Sequence, residues 1–257
     1  MSSLSSECVI LRTWPVQEAD LIVSFFTRDF GKVRGVAKAA LKSRKRFGGA
    51  LEPMTLARAW FVERPRQELV RLDQLEILRS PLAEPINYLR AAVLSFYAET
   101  IEEILPERDP QDAVFRLTNS VLEVTSTECW LPLTYFSLWM TRLMGWLPEL
   151  TRCTLCAEPL SPTDPGNFHA FADGLFCRTH SGLGHRTLSA DSWQLAQRIL
   201  RQPINSLAAE DFPRRRAADL RLFALQALER HLEKRLRSAE AINRLNSGVA
   251  AIHTDAC

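Results

Sequence analysis

Short apolar-rich segments punctuate the first eighty or so residues: Cys8 to Thr13, Leu21 to Thr27, Val33 to Lys38, Thr55 to Val62 and Leu69 to Leu78. Several alternate apolar and polar positions, the period of a strand with one buried face. Turn residues separate them at Arg28 to Lys32 with Gly31, at Gly48 and Gly49, and at Glu63 to Gln67 with Pro65, so the pattern predicts five strands. Five strands in so short a stretch suit a small barrel. An OB-fold is such a barrel, and its usual ligands are nucleic acid or sugar.

After Pro81 the period changes. Leu94, Tyr97, Ala98, Ile101 and Leu105 recur at helical spacing and leave Glu99, Glu102 and Glu103 for the opposite face. Asp109 before Pro110 reads as an N-cap and first helical residue, opening a second helix through Val114, Leu117, Val121 and Leu122. A third helix, Leu131 to Leu147, is apolar nearly all round, which suits the middle of a bundle or the wall of a groove. Pro, Gly, Cys and His then dominate until Ser189. Helical patterning resumes at Trp193, Ala196 and Leu200, and again from Leu222 to Leu236. The expected architecture is α+β and multidomain: an N-terminal OB-fold β-barrel over 1–80, then an all-helical domain over 81–245. The cysteine-bearing insertion at 148–188 lies within the helices, and a flexible tail at 246–257 ends the chain.

Hydrophobic residues at 46% and charged ones at 24% exclude a disordered or collagen-like chain. The longest uncharged apolar stretch, Cys129 to Thr141, is broken by Pro132 and falls short of the roughly 20 residues that span a bilayer. Met1 to Cys8 has neither a basic region nor a long apolar run, so no signal peptide is expected and a cytoplasmic location is. The net charge of +2 hides an asymmetry. Residues 1–80 carry 14 Lys/Arg against 9 Asp/Glu, 81–150 carry 4 against 10, and 151–257 carry 14 against 11. The first segment suits a polyanion and the middle one does not.

The cationic excess concentrates between Arg28 and Arg46, which holds Arg28, Lys32, Arg34, Lys38, Lys42, Arg44, Lys45 and Arg46 against the single acid Asp29. On a small barrel such a run presents a positive track to phosphates, and binding by counterion release follows. Phe30 and Phe47 flank it, as core residues or as platforms for bases. A second basic cluster, Arg214 to Arg216, opens the last long helix and reads as a solvated face or a secondary DNA contact.

Three of the six cysteines are isolated, and three lie close together: Cys153-Thr-Leu-Cys156, then twenty residues, then Cys177-Arg-Thr-His180. Two short-spaced pairs make two knuckles whose four ligands close a tetrahedron around zinc. With four protein ligands the site has no open position and is structural, holding a segment too poor in apolar residues to fold alone. His185 is an alternative to His180 as fourth ligand. The chain lacks a phosphate-cradling GxxxxGK[ST] loop, the H-x-E and P-C-x-x-C pair of zinc deaminases, GxSxG and HExxH. A non-enzymatic role is expected, with an unfamiliar enzyme or a zinc-stabilised scaffold or regulator without annealing activity as the rival readings.

The order of parts and several motifs resemble the RecO recombination mediator family along nearly the whole chain. The motifs are Val9-Ile10-Leu11-Arg12-Thr13, Glu18-Ala19-Asp20-Leu21-Ile22-Val23, Phe26-Thr27-Arg28-Asp29-Phe30-Gly31-Lys32-Val33, Val36-Ala37-Lys38, Leu51-Glu52-Pro53 and Leu75-Glu76-Ile77. The resemblance implies a bacterial DNA repair and recombination protein that binds single- and double-stranded DNA and anneals complementary strands. It also implies help in loading RecA onto DNA coated by single-strand-binding protein, with RecR as partner and RecF as a further candidate. Members with the metal loop usually present four cysteines, whereas His180 stands here in the last place. The family also tends to have Gly after the strand ending at Lys38, where this chain has Ala39-Ala40. Single-strand-binding proteins end in an acidic, apolar C-terminal tail, whose pocket needs a basic residue beside apolar ones. Arg142 on the third helix fits that role.

Overall fold

The computed structural model describes residues 3–246 except 17, 64–65, 164 and 184–185. His185 and residues 247–257 of the expected tail lie outside the described residues. The chain forms two compact units, residues 1–126 and 127–257.

The first unit is built on a closed five-stranded barrel of β1 (Ser3–Pro15), β2 (Leu21–Thr27), β3 (Gly31–Ala37), β4 (Leu56–Val62) and β5 (Val70–Arg79), in the order β1-β2-β3-β5-β4. This is the expected OB-type barrel. β1 is longer than its alternating stretch because it serves two neighbours, pairing with β4 along Ser3–Val9 and with β2 along Cys8–Pro15. An irregularity between Ile10 and Arg12 lets it turn from one to the other. β3 and β5 run parallel and pair over three positions only, Gly35 to Ala37 with Val70 to Leu72. Ile10, Val23, Phe25, Val33, Phe61 and Leu72 fill the interior. Phe25 and Phe61 meet edge to face at 5.7 Å, and burying each ring stabilises the barrel by roughly 2–3 kcal/mol.

Two helices belong to this unit, α1 (Tyr88–Ile104) and α2 (Asp112–Val124). The charge shift near residue 80 marks the change from strands to helices, and the compact unit runs on to 126. The reason is packing: Phe26, on the outer face of β2, is fully buried edge-on against Phe115 of α2 at 5.6 Å. α1 starts at Tyr88 because Asn87 caps it, accepting from the Arg90 N–H at 2.8 Å. α2 does not start at Pro110 as its sequence suggests. The preceding segment is held against β3, with Glu107 bridged to Lys32 and the Arg108 N–H donated to the Lys32 carbonyl at 2.9 Å. Helix winding therefore begins only at Asp112.

The second unit is helical: α3 (Trp130–Leu143), α4 (Ala190–Ile199), α5 (Ile204–Leu207), α6 (Ala218–Leu232) and α7 (Arg237–Asn246). α3 is central, buried on nearly every side and packed chiefly on α6. Pro132 sits in its first turn, where a missing N–H costs nothing. The Glu128 carboxylate caps that turn, accepting from Trp130 N and Leu131 N at 2.6 Å each. Burial pushes the Glu128 carboxyl up, and those bonds and Arg221 oppose the shift. α3 stops at Leu143 rather than Leu147, because Gly145 turns left-handed (φ 74°) and the Trp146 N–H returns to the Thr141 carbonyl. Likewise α6 stops at Leu232 rather than Leu236, closed by left-handed Glu233, and α7 starts after Leu236 at Arg237. Among the described residues no helix is long and apolar enough to cross a membrane.

Gly31 (φ 69°) begins β3, and a Cβ there would sit 2.4–2.5 Å from the backbone of Asp109. Gly31→Ala is expected to cost at least the 1–2 kcal/mol or so of a left-handed alanine, read as a lower urea midpoint. A loss below about 0.5 kcal/mol would show that residues 106–110 are not held as described.

Candidate nucleic-acid interface and metal centre

The basic run divides into two parts. On β3, Lys32 is buried, its Nζ donating to the Glu102 carbonyl of α1. Burial pushes this ammonium down, and Glu102 opposes the shift. Arg34 pairs with Glu102 at 3.1 Å and Glu107 at 3.2 Å, and Arg28 pairs with Asp112 at 3.1 Å. The Arg28 pair is half-exposed and loose, whereas Glu102 is nearly buried and also accepts from Ser24 Oγ at 2.5 Å. These three cations thus face acids of the middle segment. No signal in the run itself reveals those partners.

The remaining five cations, Lys38, Lys42, Arg44, Lys45 and Arg46, lie beyond β3 on a loop. The loop is organised. The Lys38 to Ala40 turn is tied to the barrel by the Ala39 N–H, which donates to Asp20 Oδ1 at 2.7 Å. Arg46 donates to the Lys38 carbonyl at 2.6 Å and to Ser43 Oγ at 3.0 Å. Phe47 plugs the loop into the barrel core, 1% exposed, and Phe30 packs edge-on against Phe61 at 5.5 Å. Both flanking rings are therefore core residues. Lys38, Lys42, Arg44 and Lys45 are exposed, and none of them has an ion pair among the described residues. The loop presents phosphate-seeking charge from a fixed base.

In the second unit the insertion brings Cys153, Cys156, Cys177 and His180 together, with their ligand atoms all within 4.8 Å of one another. Cys156 Sγ lies 3.8 Å from Cys177 Sγ, and His180 Nδ1 lies 3.3 Å from Cys177 Sγ and 3.7 Å from Cys153 Sγ. A tetrahedron with zinc–sulfur bonds of about 2.3 Å has edges of about 3.8 Å, so the four residues fit a metal ion of that kind. Burial opposes ionisation of Cys153, but N–H groups of Cys156, Cys177 and Leu155 aimed at its sulfur prevail and hold the thiol at about 6. It is poised as a thiolate ligand. The helices grip the insertion: Trp193 Nε1 donates to the Leu150 carbonyl at 2.8 Å, and Phe168 packs edge-on against Phe223 at 5.3 Å. The isolated Cys8 is buried in the barrel, where burial pushes its thiol up, leaving it inert.

Arg142 is exposed near the end of α3, its guanidinium 5.7 Å from the Trp139 ring. The ring is fixed by its Nε1 bond to the Ile199 carbonyl at 3.1 Å. The Arg214–Arg216 cluster is partly consumed. Arg216 and Arg198 share the Glu210 carboxylate, and their hydrogen bonds hold that carboxyl down at about 2. Arg221 is buried against Trp130, and Arg230 pairs with Asp173.

A closed OB barrel with a cation-rich loop, followed by a helical unit carrying a Cys3His cluster that could hold a metal ion, is the plan of a DNA-interacting protein. Family models described as Recombination protein O N terminal and Recombination protein O C terminal match residues 1–81 and 87–240. The chain is 48% identical over 242 residues to DNA repair protein RecO of Koribacter versatilis (strain Ellin345), covering 94% of this chain and 98% of that one. It is 31% identical over 241 residues to DNA repair protein RecO of Anaeromyxobacter sp. (strain K), covering 92% and 94%. The chain belongs to the RecO family of DNA repair and recombination proteins.

Proposed function

We propose that this chain is a recombination mediator that binds single- and double-stranded DNA through its barrel and anneals complementary strands. The acid-free loop of Lys38, Lys42, Arg44, Lys45 and Arg46 carries this reading. Two strands repel through their phosphates, and a fixed group of cations lowers that repulsion while holding the strands close enough to pair. No covalent bond is made or broken. Lys32 and Arg34 act chiefly inside the protein, because Glu102 and Glu107 meet their charges, whereas Arg28 is held only loosely by the exposed Asp112.

The mediator also helps RecA onto DNA covered by single-strand-binding protein. A basic loop alone only competes with the coating, so a second contact to the coating protein is needed. Arg142 beside Trp139 suits the acidic, apolar C-terminal tail of that protein. RecR is the expected co-mediator, with RecF as a further partner. One zinc per chain, held by Cys153, Cys156, Cys177 and His180, would fix the insertion without taking part in DNA binding.

Three outcomes are expected. If about five side chains meet phosphates of a single strand, log affinity falls against log salt with a slope of about −3.5, from about −0.7 per contact. Joint reversal of Lys42, Arg44, Lys45 and Arg46 to Glu then removes most binding from a protein with an unchanged unfolding midpoint, and undiminished affinity would refute the loop's role. Elemental analysis gives close to one zinc per chain. Cys153→Ser loses it and exposes residues 148–188 to protease while DNA affinity holds; protein with no zinc and unaltered cleavage would leave the cluster without a metal role. Arg142→Glu slows annealing of coated strands and spares bare ones, and equal rates on coated strands would place the tail's pocket elsewhere.

A further inference from the structure

Trp14 on β1 is in register with Ile22 on β2, Ile22 with Val36 on β3, and Val36 with Arg71 on β5. The four residues form one row across the outside of the barrel, with Val23 and Phe25 pointing the opposite way into the core. Trp14, Ile22 and Val36 are half-buried and Arg71 is exposed. The next row, Arg12, Ser24 and Arg34, is the edge of the helical cover, since Ser24 and Arg34 both bond Glu102 of α1. The row after that, Phe26 and Lys32, is buried under α1 and α2. The helices thus occupy one half of this barrel face and leave the other half open.

The open half has the chemistry of a stacking surface with cations at its rim. The guanidiniums of Arg12 and Arg34 lie 5.1 and 5.9 Å from the Trp14 ring. Arg34 is fixed by its two carboxylates. Arg12 has no ion pair among the described residues and is free to exchange the ring for a phosphate. At the β3–β5 end of the row a cavity of about 370 Å³ opens, floored by Val36, Leu69 and Val70 and rimmed by Lys38, Glu68 and Arg71. Arg71 is paired with Asp73 in an exposed, loose bridge, and Lys38 has no ion pair among the described residues, so Lys38 is the less engaged cation there. Lys38 is the first cation of the loop assigned above to phosphate.

We propose that this half-face is a platform for unpaired bases of single-stranded DNA, a reading that rests on the barrel's being the DNA-binding part. One base stacks on Trp14, the next lies over Ile22 and Val36, Arg12 and Lys38 meet the phosphates, and the strand continues onto the loop at 40–46. At about 4.8 Å per strand spacing the row from β1 to β3 spans about 10 Å, a footprint of about two nucleotides. A duplex keeps its base faces stacked and cannot use the platform, so the row discriminates single from double strands while the loop accepts both.

Oligo-dT and a matched duplex, titrated at fixed salt against the full chain, test this. Trp14→Ala should lower oligo-dT affinity roughly five- to hundredfold, from the stacking contribution of one base, and duplex affinity less than twofold, while Trp14→Phe recovers most of the loss. Val36→Glu should lower the single-strand preference in the same sense. Stacking should quench indole emission on oligo-dT binding, and the quench should shrink in Trp14→Phe. Oligo-dT binding and quenching unchanged in all three variants would overturn the platform and leave the loop reading intact. Equal loss for both DNA forms would also overturn it, as would displacement of Trp14 emission by an apolar peptide but not by oligo-dT. A wild-type chain that binds neither DNA would sink the loop reading and the platform together.

Discussion

A single glutamate organises the first unit. Glu102 of α1 takes the Ser24 hydroxyl and the Arg34 guanidinium with its carboxylate and the Lys32 ammonium with its carbonyl. An ammonium buried without such partners costs several kcal/mol, so β3 with Lys32 in place requires α1 in place. Three consequences follow from that constraint. The compact unit extends past the strands to 126, two of the eight cations, Lys32 and Arg34, are taken up against α1, and the helical cover ends at the row of Arg12, Ser24 and Arg34. Both the cationic loop and the half-face left uncovered within this unit are what this arrangement leaves over.

The strands were legible because alternation is a local property, and all five occur within a few residues of their apolar segments. The length of β1 was not, since a strand that pairs on both sides carries no local mark of its second partner. Helix ends failed for similar reasons. α2 begins late because residues 107–109 are drawn to β3, and α6 stops at Leu232, short of Leu236, with left-handed Glu233 and no glycine or proline to announce it. The basic run shows the limit most clearly: counting Arg28 to Arg46 finds the charge, but Glu102 lies about seventy residues further on. Trp14 went unremarked because its exposure depends on which rows the helices cover.

The Cys/His cluster was legible for the opposite reason. Each knuckle is a four-residue turn, so Cys153 with Cys156 and Cys177 with His180 are preassembled locally, and only the meeting of the two pairs is a tertiary event. That meeting is supported from both sides. The Thr154 N–H donates to the Leu175 carbonyl and ties the first knuckle to the segment leading into the second, the Cys153 N–H closes the first knuckle on Glu158, and Trp193 and Phe223 hold the insertion to the helices. The cluster is thus a local device placed by a non-local scaffold.

The contact of Lys32 with Glu102 also sets a schedule during synthesis. The two residues are separated by 70 positions, which at about 5–20 residues per second corresponds to roughly 4–14 s of translation. Until then Lys32 and Arg34 lack the Glu102 groups that meet them in the folded unit. All five strands end by Arg79, so the chain of the barrel is complete before the residue that seats Lys32 is made, and β3 reaches its final state only once α1 is present.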